Sequence, residues 1–139
     1  MEHTVEIAAP PKRVFPYLVA SERRLHWMGL LVESEPLDEH HFRDVFLEHG
    51  QRIEIDAEVL RDDPPELLQV LLRGPGFNAT STQRLEPTED GTRLTTVVES
   101  DYTSRLARIA GPLVARHAQR QLEEDSARLK KLIEADPPD

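Results

Sequence analysis

The 139-residue chain has no cysteine. Disulfides, thiolate nucleophiles and thiolate zinc sites are therefore excluded. Positive charge is also scarce: 17 lysines and arginines face 26 acids, a formal net charge of −9. That balance disfavours nucleic acid as a partner, because phosphates need a basic surface. It equally disfavours electrostatic docking on anionic membranes, and no stable membrane association is expected. Aromatic residues make up 5% of the chain, so a flat aromatic substrate would find few rings to stack on. No apolar run approaches the roughly 20 residues that span a bilayer. The opening residues MEHTVEIA alternate and are polar, unlike a secretory leader. The expected setting is the cytoplasm, in a bacterial-type protein.

Several chemical motifs are missing too. Six histidines invite a metal hypothesis, yet no His-x-x-His or His-x-x-x-His pair occurs. His41 and His49 on one extended strand would stand about 26 Å apart, at ~3.3 Å per residue, and could not share an ion. Gly74-Pro75-Gly76 is followed by neither Lys-Ser/Thr nor a helical pattern, so it reads as a hairpin turn, not a phosphate loop. No Gly-x-Ser-x-Gly elbow is present. Neither metal nor cofactor is expected.

What is there reads as one soluble domain over residues 1–139, with hydrophobic residues at 38% and charged residues at 31%. Thr4–Ala8 alternates as a strand. Pro11 suits a first helical position, and Val14, Phe15 and Leu18 supply an apolar stripe behind it. Pro16 deprives the Lys12 carbonyl of its helical donor, so that helix should be short or kinked. Ser21 reads as the N-cap of a second short helix ending near Trp27. Turn signals at His49-Gly50, Asp62-Asp63-Pro64-Pro65, Gly74-Pro75-Gly76 and Glu89-Asp90-Gly91 delimit strands near 30–36, 40–48, 51–61, 66–73, 77–86 and 92–103. Their short connections imply antiparallel pairing.

The rest is helical. Val114, Ala118, Leu122, Leu129, Leu132 and Ile133 share one broad stripe, whereas Leu106 and Ile109 do not. The phase breaks at Gly111-Pro112. An interior proline costs ~3 kcal/mol, so the long helix is expected to start at Pro112, with 104–110 a separate turn or short helix. Residues 136–139 should fray. The predicted fold class is α+β: a curved, seven-stranded antiparallel sheet wrapped around a long C-terminal helix, with two short helices between the first two strands.

Two segments carry a family resemblance. VEIAAPPKRVFPYLVASERRLHWM at the start and LVARHAQRQLEEDSARLKKLIEA at the end resemble the opening and closing of the START-like, or SRPBCC, superfamily. That superfamily includes the birch-pollen-allergen fold and the polyketide cyclase/dehydrase-like proteins. The resemblance implies a helix-grip fold with an apolar cavity between the sheet and the C-terminal helix. Members bind lipids, sterols, polyketides or plant hormones. Some are aromatase/cyclases, some coenzyme Q chaperones, some activators of a heat-shock ATPase, and some carry an oxygenase iron site. The shared feature is a shape, not a reaction.

Strand alternation nominates the lining. Ile53, Ile55, Ala57 and Val59 share a face, as do Leu68, Val70 and Leu72; Phe77, Ala79, Ser81 and Gln83; and Leu94, Thr96, Val98 and Ser100. The small Ala79 and Ser81 leave room beside polar Gln83, as a small-molecule site requires. Phe15, Leu18 and Trp27 would stand at the rim, and Val114, Ala118 and Leu122 on the helix side. Asp125 and Ser126 interrupt the helix stripe. A buried carboxylate needs a partner, so Asp125 is either a ligand or acid/base group or is paired with arginine. Tyr102 is the other weak catalytic candidate. Arg105, Arg108, Arg116 and Arg120 form a local basic patch, either solvated or greeting an anionic ligand or partner.

Three functional readings follow. The first is binding of a hydrophobic small molecule or lipid without a cofactor. The second is a polyketide cyclase/dehydratase-like enzyme, for which no recognisable acid/base set exists. The third is a protein–protein regulator using an outer face of Arg52, Glu54, Asp56 and Glu58. Monomer and homodimer stay open.

Overall fold

A computed structural model describes residues 1–136, apart from the side chains of Ala110, Pro112 and Leu113. The elements run β1 (Glu2–Ile7), α1 (Pro11–Val19), α2 (Ser21–Trp27), β2 (Leu31–Pro36), β3 (His41–Glu48), β4 (Gln51–Asp63), β5 (Leu67–Gly74), β6 (Phe77–Pro87), β7 (Thr92–Tyr102) and α3 (Arg105–Ala135). The seven strands form one antiparallel sheet in the order β1-β7-β6-β5-β4-β3-β2. Only β1 departs from a simple meander, returning to pair with β7.

Turn chemistry sets the hairpins. Glu48 pairs with Gln51, and the two residues between them, His49 and Gly50, both have positive φ, 51° and 78°. A two-residue hairpin loop of that kind matches the right-handed twist of its strands. Gly91 has a different duty. A Cβ there would run into the Ile7 carbonyl oxygen and stand 2.7 Å from the Ala9 nitrogen, so the β6–β7 turn can approach the β1–α1 junction only without a side chain. Thr92 ties the same junction, its hydroxyl donating to the Ala9 carbonyl at 2.6 Å in a fully buried position.

The core lies where α1, α2 and the C-terminal half of α3 cover one sheet face. Ile7, Val14, Leu94, Leu129 and Ile133 are each at most 2% exposed and belong to one cluster. Polar contacts fasten both flanks of α3. On one side, Gln119 donates to the Glu2 carbonyl, Lys130 to the Glu6 carbonyl, and the Ala8 N–H to Glu134. On the other, Asp125 accepts from the Gly29 N–H, and Arg128 donates to the Trp27 carbonyl. The sheet thus grips the helix, giving the α+β helix-grip arrangement.

Three local expectations are corrected or refined. Ala20, not Ser21, is the N-cap of α2, and it makes no side-chain cap bond. α1 is nine residues long and runs through Pro16 to Val19, so the proline does not end the helix where it stands, contrary to the expectation of a helix cut short there. α3 does not start at Pro112. It starts at Arg105, where the Ser104 hydroxyl accepts from the Ala107 N–H, and it runs for 31 residues through Gly111-Pro112. The phase break is therefore no helix break. In its first turns the protein-facing side carries small residues: Gly111 is buried against the Tyr102 ring, and Ala107 neighbours Gly76. Leu106 and Ile109 face water, 78% and 75% exposed. Periodicity misleads here because it takes the largest apolar side chains to mark the packed face. Of the tail expected to fray, residues 137–139 lie outside the described residues. Asp136 is held, its carboxylate accepting from the Tyr17 hydroxyl at 2.6 Å and its carbonyl from Arg13 at 2.7 Å.

Gly91→Ala forces a backbone shift at the β1–α1 junction, so chemical denaturation should show a loss of about 1–3 kcal/mol. A loss below about half a kcal/mol would mean that the close approach costs nothing to relieve.

Candidate functional site

α1 and α2, joined at Ala20, lie over the sheet and do not fill the space beneath them. A cavity of about 240 Å³ remains, walled by Leu18, Trp27 and Met28 from the helices and by Phe42, Phe46, Val59, Leu68, Val70 and Leu72 from β3, β4 and β5. Ser81 and Gln83 of β6 add polar groups to this apolar wall. The mouth is formed by the β2–β3 turn, Pro36 and residues 38–41, with Asp62 and the α1–α2 joint at Val19 and Ser21.

Trp27 is fixed in the wall by its indole N–H, which donates to the Tyr17 carbonyl at 2.8 Å. One ring therefore joins α2 to α1 and contributes to the cavity wall. From the sheet, β3 places Phe42, Asp44 and Phe46 on one face, in register with Ala57, Ile55 and Ile53 of β4. Asp44 is 1% exposed. Its charge is met by Arg24 of α2, bidentately, with Nη1 at 3.2 Å from Oδ1 and Nη2 on Oδ2. The same guanidinium donates to Ser34 Oγ at 3.3 Å and lies 4.8 Å above the centre of the Phe42 ring. Arg24 and Asp44 both line the cavity. An isolated charge there would be costly to bury, but a paired, hydrogen-bonded one is tolerated.

At the mouth, Asp38 folds the β2–β3 turn upon itself. Its Oδ1 accepts from the His40 and His41 backbone N–H groups, each at 2.8 Å, and lies 2.9 Å from His41 Nδ1. The His40 N–H first, and then the His41 ring, hold the Asp38 carboxyl below its ordinary value. Elsewhere, His49 and His117 meet edge to face with ring centres 6.3 Å apart, joining the β3–β4 turn to α3. Among the described residues, no three His, Asp or Glu side chains converge as a metal site.

The predicted lining divides. Leu18, Trp27, Val70, Ser81 and Gln83 do line the cavity. Phe15 and Leu94 are buried in the core cluster shared with α3. Ile55, Ala79 and Thr96 are buried outside the cavity wall, and Ile53, Phe77, Val98, Ala118 and Leu122 are half-buried. Val114 is half exposed. The cavity lies beneath α1 and α2 and no described α3 residue lines it, contrary to the expected position between the sheet and the C-terminal helix. The reason is direct packing, since Leu129 and Ile133 fill the space against Ile7 and Leu94.

Neither catalytic candidate reaches the cavity. Tyr102 packs at Gly111. Asp125 is buried, with one oxygen accepting from the Gly29 N–H at 2.9 Å, from Gln121 at 2.9 Å and from Arg128 at 3.0 Å. It fastens the α2–β2 loop to α3. Burial pushes its carboxyl up from the ordinary value, and those three donors oppose the shift. Sequence reasoning missed Arg24 and the β3 face. Phe42-x-Asp44-x-Phe46 was the available signal, because a carboxylate between two phenylalanines on one strand face demands a buried cation.

Asp44→Ala leaves the Arg24 charge buried and unpaired, so urea denaturation should show a loss of about 3–5 kcal/mol. Arg24→Met with Asp44→Leu should recover most of it; a single variant as stable as the parent would show the pair to be dispensable. Asp125 yields a pH prediction. With its native value raised, its contribution is fully present below the unfolded value of 3.8 and is lost as pH rises through the native value. The stability of the parent relative to Asp125→Asn should therefore fall as pH rises across that window. A difference that stays flat from about pH 3 to 7 would contradict the assignment.

Comparison with known proteins places this geometry. Residues 1–134 match the family described as polyketide cyclase / dehydrase and lipid transport. No curated protein matches the chain. Among solved structures, a Chromobacterium violaceum protein superposes with a TM-score of 0.82 at 20% identity, covering 100% of this chain and 98% of that one. A Thermus thermophilus protein gives 0.79 at 19% identity, with 97% of each chain covered. Ara h 8.0201 gives 0.76 at 13%, covering 98% of this chain and 97% of that one. At these identities the structures establish the shared fold, and the family match over nearly the whole chain establishes the lineage: the chain belongs to the polyketide cyclase/dehydrase and lipid transport family of the START-like, SRPBCC superfamily.

Proposed function

We propose that the protein binds a small hydrophobic molecule in the cavity beneath α1 and α2. The observation that carries this reading is the cavity itself: about 240 Å³ of space, mainly apolar-walled, beneath α1 and α2. Protein interiors rarely leave voids much larger than a water molecule. The volume is below the ~300–1,000 Å³ of sites for drug-sized ligands, so the occupant is a small ring system or one end of an acyl chain. Ser81, Gln83 and the Arg24–Asp44 pair supply polar groups that orient it. The family's description spans both polyketide chemistry and lipid transport, and binding of an apolar molecule is common to the two.

Native mass spectrometry of the protein against a panel of small aromatic and acyl compounds tests the proposal. Ser81→Leu should abolish the adducts while changing stability by less than about 1 kcal/mol, because the added atoms enter existing space. No adduct with any compound, or equal adducts in the variant, would remove the support for a ligand site.

A further inference from the structure

Between Asp101 and Glu123 the chain carries four arginines, at 105, 108, 116 and 120, and no acidic residue. The rest of the chain therefore carries −13, the total of −9 less these four positive charges. This is the N-terminal half of α3. All four arginines are exposed, and among the described residues none makes an ion pair. Seven of the other ten arginines, at 24, 43, 52, 61, 73, 93 and 128, each have a carboxylate partner; among the described residues Arg13, Arg23 and Arg84 do not.

The apolar residues of this half-helix are equally unusual. Leu106 at 78%, Ile109 at 75% and Val114 at 50% are the three most exposed large hydrophobic residues described; the next is Leu37 at 49%. For Leu106 and Ile109 the exposure comes from how the helix is turned. It presents Gly111 and Ala107 to Tyr102 and Gly76 and leaves the larger side chains outward. At ~100° per residue, Arg105, Leu106, Ile109, Arg116 and Arg120 fall on one outward side. Large apolar groups interleaved with long cations, in a stretch without acids that ends at the exposed Glu123 and Glu124, suit one kind of partner. At a bilayer interface, leucine and isoleucine enter the acyl boundary while guanidinium groups stay level with the phosphates.

We propose that the N-terminal half of α3 docks reversibly on an anionic lipid surface. Acids more than a Debye length away, about 8 Å at physiological salt, are largely screened, whereas Glu123 and Glu124, one turn beyond Arg120, are closer and bound the basic stretch. The whole-chain charge, which disfavours stable membrane association, averages over a segregation that the fold displays on one helix. No described helix is long and apolar enough to cross a membrane, so the contact is peripheral. It is independent of whether the cavity holds a ligand.

Co-sedimentation with vesicles of phosphatidylglycerol and phosphatidylcholine, against phosphatidylcholine alone, tests the proposal. Binding is expected only to the anionic vesicles and should weaken steeply as salt rises. Arg116→Gln with Arg120→Gln should lower the partition coefficient about 30-fold, at roughly fivefold per arginine. Leu106→Ser with Ile109→Ser should lower it at least about tenfold. Both pairs of substitutions are on the surface, and circular dichroism verifies that each variant folds. Equal sedimentation with the two vesicle types would overturn the proposal, as would unchanged binding by both variants. So would light scattering that shows a dimer of the parent converted to a monomer by Leu106→Ser with Ile109→Ser, since a second copy would then be the occupant.

Discussion

The C-terminal half of α3 is the element on which the rest of the molecule depends. It shares the covering of one sheet face with α1 and α2, and Leu129 and Ile133 close its part against Ile7 and Leu94. Apolar contact alone does not define where such a helix lies, because it is non-directional. Position comes from the polar flanks. Lys130 and Glu134 reach the backbone of β1 and its end, while Asp125 and Arg128 reach the α2–β2 loop. Each bond ends on a main-chain group at a strand end or loop, where no ladder partner competes. Tyr17 and Arg13 then hold the helix end at Asp136.

The same fastening explains why the cavity lies where it does. With the helix drawn down on β1 and β7, no described α3 residue lines the cavity. The space appears instead under α1 and α2, two short helices joined at Ala20. Trp27 and Arg24 span that space from above, one through an indole bonded to the Tyr17 carbonyl and the other through the carboxylate of Asp44. A buried ion pair is a weak source of net stability compared with apolar packing. Its presence in an otherwise apolar wall is more informative about what the wall faces than about how the fold is held.

α3 also joins two unlike halves. The C-terminal half is amphipathic in the ordinary sense, with its large apolar residues inward. The N-terminal half is inverted, with small residues inward and Leu106 and Ile109 outward. A continuous helix allows this because backbone hydrogen bonds are indifferent to which face is apolar. The Ser104 cap satisfies the first turn, and the chain carries the loss of one bond at Pro112.

Strand positions, turns, the pairing mode and the family were legible in the chain. Period-two alternation, His49-Gly50 and Gly74-Pro75-Gly76 are local signals, and local backbone chemistry suffices to place them. The Pro11 helix start and the two end segments are of the same kind. The site of the cavity and the partner of Asp44 were not legible, because each depends on residues far apart in sequence. Asp125 shows the boundary well. The chain announced a carboxylate on an apolar stripe, but only folding brought the Gly29 N–H to it across 96 residues. The sequence by itself determined the elements and their order, since each is encoded within a few residues. The tertiary structure alone decided which faces meet and where space remains, since packing is a property of the whole chain.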